Sequence, residues 1–131
     1  METSARAAIL RCVEASKAGE WTFGRVVSTL AGAGVESYWT DYRAGATTYY
    51  LASGEPVTVA FPQPDVAIPV PFDADAVRRA IRGAQRDEVR YPAFVALTRA
   101  AGCVGYHVWL AGRHVVYLGR LGETHVERFP D

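Results

Sequence analysis

Two stretches decide the fold: AGVESYWTDYRAGATTYYLASGE, running from Ala33 to Glu55, and AGCVGYHVWLAGRHVVYLGRLGE, running from Ala101 to Glu123. Laid one on the other they match Gly34 with Gly102, Tyr38 with Tyr106, Tyr49 with Tyr117, Gly54 with Gly122 and Glu55 with Glu123, each pair 68 positions apart. Glycines and aromatics that coincide at turn and core positions mark an internal duplication. The register continues on both sides. Phe61-Pro62 falls on Phe129-Pro130, Ala8, Ile9 and Val13 fall on Ala76, Val77 and Ile81, and Phe23, Val26 and Val27 fall on Tyr91, Phe94 and Val95.

Each copy predicts two helices. In the first, Thr3 or Ser4 caps a helix with Ile9, Leu10 and Val13 on one face, and Thr22 caps a second that carries Val26, Val27 and Leu30. In the second, Asp73 caps a helix with Val77, Ala80, Ile81 and Ala84 turned inward, and Pro92 stands where a first helical residue belongs, ahead of Phe94, Val95 and Thr98. Gly34 and Gly102 supply left-handed stops. Three short β-branched and aromatic strands follow each stop: Val35 to Tyr42, Thr47 to Leu51 and Val57 to Phe61, then Val104 to Leu110, His114 to Leu118 and Thr124 to Phe129. The expectation is a single α+β domain built from two helix-helix-three-strand (ααβββ) units with antiparallel meanders, repeat 1 at about 3–62 and repeat 2 at about 72–130. The segment from Pro62 to Pro71 holds four of the seven prolines, with Val66, Ile68 and Val70 alternating, and reads as an extended connector or a docking motif for a proline-reading partner. Whether the meanders join into one sheet or form two stays open.

Composition bounds the partners. Lys plus Arg and Asp plus Glu both number 14, so no overall field holds the chain on nucleic acid or an acidic membrane, and neither is expected as a partner. Half the residues are hydrophobic and 21% are charged, the balance of a chain that folds without staples. Cys12 and Cys103 are too few for a disulfide framework or a thiolate zinc site, and no long apolar run follows the N-terminus, so a cytoplasmic protein is expected. No phosphate-cradling glycine loop or dinucleotide fingerprint is present, and no organic cofactor or metal is expected.

The run from Phe23 to Gly54, with Ala33-Gly34-Val35, Tyr38, Gly45 and Thr48-Tyr49-Tyr50, together with the later Tyr91-Pro92, Phe94 and Ala101-Gly102, resembles the YbcV-like family of small bacterial proteins labelled "phage envelope protein". These are structural motifs. The resemblance implies an α+β fold and carries over no catalytic residue.

Chemistry concentrates in the second meander, which holds all three histidines. A two-residue loop at Ala111-Gly112 sets Trp109 opposite His114, His107 opposite Val116 and Val108 opposite Val115. A four-residue loop from Gly119 to Gly122 would set His114 opposite Glu127 and Val116 opposite His125. Strand alternation then gives a core side of Tyr106, Val108, Val115, Tyr117 and Val126, and gathers His107, Trp109, His114, His125 and Glu127 on the other. Two imidazoles and a carboxylate so placed serve as an acid and base pair or hold a divalent ion; the alternative reading is a solvated sheet face. A one-residue slip in either hairpin would scatter the cluster. The candidate catalytic residues are His114, His125 and Glu127, and the candidate ligand-binding residues are Trp39, Tyr42, His107 and Trp109, around a pocket between helices and sheet or between the copies. These side chains suit a small-molecule-binding domain, or an enzyme of isomerase, cyclase or lyase type working without a cofactor. The other reading is a protein-interaction module or phage-derived accessory protein, with self-association as a homodimer through an exposed apolar face.

Overall fold

The computed structural model describes residues 2–130, with side chains from Ser4 onward. Repeat 1 forms α1 (Glu2–Lys17), α2 (Phe23–Gly32), β1 (Val35–Asp41), β2 (Ala46–Leu51) and β3 (Pro56–Ala60); repeat 2 forms α3 (Ala74–Gln85), α4 (Tyr91–Ala100), β4 (Cys103–Trp109), β5 (His114–Gly119) and β6 (Thr124–Arg128). The fold is α+β with the same helix-helix-three-strand pattern twice. Thr22 accepts from Arg25 N and Asp73 from Ala76 N, satisfying first-turn amides that have no partner within their helices. Pro92 occupies the first turn of α4. α1 starts at Glu2, so Ser4 lies within the helix rather than capping it, and the Thr3 side chain lies outside the described residues. Leu10 is also corrected: it is 44% exposed, while Ala5, Ile9, Cys12 and Val13 form the inward stripe.

The two meanders join. One six-stranded sheet runs β3-β2-β1-β4-β5-β6, antiparallel throughout, with β1 against β4 at its centre. In that central pair Trp39 lies opposite His107, its own counterpart in the other copy, so a pseudo-twofold axis passes between them. Backbone conformation repeats the symmetry. Left-handed residues occur at Gly19 and Asp87, Gly34 and Gly102, Gly45 and Arg113, and Gly54 and Gly122, each pair at the repeat spacing. Arg113 adopts at φ 58° what Gly45 adopts at φ 67°, and an L side chain there costs about 1 kcal/mol. Arg113→Gly is therefore expected to gain up to about 1 kcal/mol in urea unfolding. A loss would show that the Arg113 contacts with Phe129 and the Pro130 carbonyl outweigh the strain.

The first hairpin of repeat 2 has the expected register, Trp109 with His114, His107 with Val116 and Val108 with Val115. The second does not. Val115 pairs with Glu127, Val116 with Val126, Tyr117 with His125 and His114 with Arg128. Gly119 N–H donates to Glu123 O at 2.9 Å and Gly122 sits at φ 86°, so the turn carries one extra left-handed residue, a glycine bulge, that moves every later pair by one. Repeat 1 has the same device, with Leu51 N–H on Glu55 O and Gly54 left-handed. The shift turns His125 and Glu127 to the helix side and Val126, 54% exposed, to the open side, correcting the expected pairing of His114 with Glu127 and the placement of Val126 in the core.

The helices cover one sheet face, where Tyr38, Tyr49, Tyr106, Val108, Val115 and Tyr117 meet Ile9, Leu30, Val77 and Val95 in one core. The connector has no regular secondary structure, turns at Val66, whose N–H donates to Pro64 O, and is pinned by two arginines: Arg99 donates to Val66 O, Gln63 Oε1 and Tyr42 O, and Arg120 to Ile68 O.

Candidate functional site

A cavity of about 410 Å3 opens between the helices and the covered sheet face. Its walls come from both copies at equivalent positions, among them Tyr38 with Tyr106, Tyr49 with Tyr117, and Phe61 with Phe129. It thus straddles the pseudo-twofold. Ser16 on α1 and its counterpart Ala84 on α3 both line it with small side chains that leave the space open. Phe23 and its counterpart Tyr91 stand at the first turns of α2 and α4 and bring further rings to the wall.

The sheet floor is a sheet of phenols. Ring centroids lie 5.2 Å apart for Tyr38 and Tyr49, 6.4 Å for Tyr38 and Tyr106, and 5.6 Å for Tyr106 and Tyr117, within the range of favourable aromatic pairs. The Tyr91 and Tyr106 hydroxyls share a 2.5 Å hydrogen bond, and Thr40 Oγ1 and Thr47 Oγ1 lie 3.1 Å apart beside them. Burial raises all five phenols; for Tyr106, where hydrogen bonds with Tyr91 and Thr40 oppose it, the result is about 12. All five are neutral hydrogen-bond donors at physiological pH. Among the described residues the hydroxyls of Tyr38, Tyr49 and Tyr117 have no protein hydrogen-bond partner, yet none of them is sealed off; the one fully enclosed side-chain polar atom without a partner is His107 Nε2. Three buried residues thus direct unpaired hydroxyls toward open space in the core.

One end of the cavity carries charge. Glu127, whose side chain is 15% exposed, lines the wall and receives Arg82 Nη1 at 2.6 Å on one oxygen, while His125 Nε2 lies 3.3 Å from the other. Burial alone would raise this carboxyl, but the hydrogen bonds and charges of Arg82 and His125 outweigh it and hold it below its ordinary 4.5. A depressed carboxyl contributes stability that is present above the unfolded value and is lost as pH falls through the folded one. Wild type is expected to lose stability faster than Glu127→Gln as pH drops below about 4.5, and parallel acid limbs in thermal melts would contradict that.

The other expected site residues lie elsewhere. Trp39, His107, Trp109 and His114 sit on the uncovered face, where the His107 and Trp109 rings stack at 4.0 Å and 2° and Tyr50 and His114 extend the row. His114 Nδ1 contacts its own turn at Gly112 O. Tyr42 is core, its hydroxyl 2.8 Å from Thr98 Oγ1. Among the described residues no three His, Cys, Asp or Glu side chains converge as metal ligands. Of the seven residues singled out from sequence, the structure brings together His125 and Glu127 as a pair and His107, Trp109, Trp39 and His114 as an aromatic row, on opposite sides of the sheet. Burial lowers the His107 pKa, and its enclosed Nε2 has no partner. His107→Phe keeps a ring against Trp109 and removes the unpaired atom, so it is expected to stabilise the fold by about 1 kcal/mol in chemical denaturation. A destabilised variant would mean that Nε2 is hydrogen-bonded in solution.

Of the cavity phenols, sequence pointed only to Tyr49, as one of the first-meander aromatics Trp39, Tyr42, Tyr49 and Tyr50 that could line a pocket for a flat ligand; Tyr38, Tyr106 and Tyr117 looked like ordinary core, as an inward strand tyrosine does. Their shared signal was that Tyr38 with Tyr106 and Tyr49 with Tyr117 repeat at the duplication spacing. No protein-family model matches the chain, and no curated protein matches it.

Proposed function

We propose that the chain is a small-molecule-binding domain whose ligand occupies the cavity on the pseudo-twofold. The observation that carries this reading is the set of three unpaired, buried hydroxyls, Tyr38, Tyr49 and Tyr117, directed toward a 410 Å3 space with aromatic walls. Apolar surroundings with a few convergent polar groups are the usual make-up of a ligand pocket, and a cavity of this size takes roughly 15 to 20 non-hydrogen atoms. Acid and base chemistry without an organic cofactor, of isomerase, cyclase or lyase kind, is the catalysis this wall supports, with Glu127 on the cavity and His125 behind it. A native mass spectrum of protein purified without added ligand tests the reading: a discrete extra mass released by denaturation is expected. Bare protein that also gains no thermal stability from a library of ring compounds would overturn it.

A second reading rests on the uncovered sheet face, where Trp109, Tyr50 and Val126 are exposed together. A protein-interaction role through that face, including a homodimer, predicts a discrete dimer that Val126→Lys splits into monomers. Shared ancestry with YbcV-like proteins is likewise our proposal; it rests on the glycine and aromatic pattern and adds no chemistry. Cytoplasmic residence is proposed on the two free, buried thiols of Cys12 and Cys103.

A further inference from the structure

Resting on the cavity reading above, we infer that the ligand is an uncharged, planar ring compound that presents a hydrogen-bond-accepting oxygen, such as an aromatic ketone. A flat ring follows from the walls. Four phenol rings from two repeats line one sheet face, tilted to one another by 36° to 73°, with Phe61, Phe94 and Tyr91 beside them, so an aromatic ring finds edge-to-face and offset contacts on several sides. The accepting oxygen follows from the hydroxyls. Tyr38, Tyr49 and Tyr117 each hold a proton that no group among the described residues takes. The Tyr91, Tyr106, Thr40 and Thr47 hydroxyls already face one another and supply acceptors internally. A hydrocarbon would displace water from three donors and return nothing; a carbonyl satisfies them.

Neutrality follows from the charges around the wall. An ammonium needs a free carboxylate, yet both Glu127 oxygens are engaged, by Arg82 and His125, and Asp87 is held by Arg90. A carboxylate needs a free cation, yet Arg90 is bound to Asp87 and Gly19 O, and Arg25 lies 4.2 Å over the Trp21 ring. Arg128 also lines the cavity, but it stands on an exposed strand end where water screens it. A charged ligand would therefore lose its hydration without gaining a buried counter-ion. The polar groups are also unevenly divided. Thr40 and Thr47 come from repeat 1, where repeat 2 has Val108 and Val115, and Glu127 comes from repeat 2, where repeat 1 has Val59, so the ligand is polar in an asymmetric way despite the symmetric cavity.

The test is a calorimetric titration of the intact protein with four compounds built on one planar ring system: fluorenone, fluorene, aminomethylfluorene as its ammonium, and fluorenecarboxylate. Fluorenone is expected to bind at least tenfold more tightly than the other three. In the Tyr38→Phe, Tyr49→Phe and Tyr117→Phe single variants its affinity should fall about threefold to tenfold while that of fluorene stays unchanged. The ranking in wild type decides the matter even where a variant folds poorly. Equal binding of fluorene and fluorenone, or strongest binding of either ion, would overturn the ligand class and leave the cavity reading standing. Binding of none of the four would overturn the cavity reading with it.

Discussion

Gly102→Ala should lower the unfolding free energy by more than about 3 kcal/mol, whereas the equivalent change in the first repeat, Gly34→Ala, should cost about 1 kcal/mol. The two glycines end equivalent helices in nearly identical conformations, at φ 92° and φ 90°. Each substitution therefore carries the same left-handed penalty. Their surroundings differ. A Cβ at Gly34 meets nothing within 4 Å, but at Gly102 it would lie 2.2 Å from the Pro71 carbonyl oxygen and 3.1 Å from Phe72 Cα. That backbone is not free to retreat, because Asp73 N–H donates to Ala101 O at 2.8 Å and Asp73 caps α3. Urea unfolding of both variants measures the difference directly, and equal losses would show that the connector can move away from α4.

Ala84→Phe is expected to weaken binding of the cavity ligand at least tenfold, a change of about 1.4 kcal/mol, while leaving the melting temperature unchanged or raised. Ala84 lies on α3 and lines the cavity, and its counterpart Ser16 is also small, so a ring grown from this position reaches the empty space. Overpacking destabilises filled cores, but here the added ring covers the phenol floor and replaces solvent. The readout is the extra mass in a native spectrum together with the melting curve. Retained ligand in a stable variant would place the binding site elsewhere on the molecule. A variant that loses both ligand and fold would be replaced by Ser16→Phe, which enters the same cavity from α1.

Much of the fold was legible in particular residues. Thr22 and Asp73 cap helices because their short oxygens reach amides three residues on, and Pro92 starts one because its missing N–H is not needed there. The hairpin around Ala111-Gly112 was legible too, since its pairing follows from a loop centred between alternating strands. The site was less so. Reading Gly119 to Gly122 as an even loop missed the bulge at Gly122, and one extra residue carried Glu127 and His125 from the open face to the helix side. The matching glycine at Gly54 repeats the bulge in the first copy, so the duplication constrained both turns together, but neither sequence announced the left-handed residue as an insertion rather than a corner.

By itself the sequence determined the local structure and its repetition: helix stripes, caps, left-handed stops and short strands are set by interactions within a few residues, and two copies that share those residues fold alike. Only the tertiary structure decided that β1 pairs with β4 into one sheet, which side of that sheet β6 presents, and that a space remains over the pseudo-twofold. The reason is physical. A strand has a two-residue period, so its faces exchange with a slip too small for composition to register. An inward tyrosine is likewise the same letter whether its ring and hydroxyl end on a neighbouring side chain, as Tyr42 does on Thr98, or on open space, as Tyr38, Tyr49 and Tyr117 do.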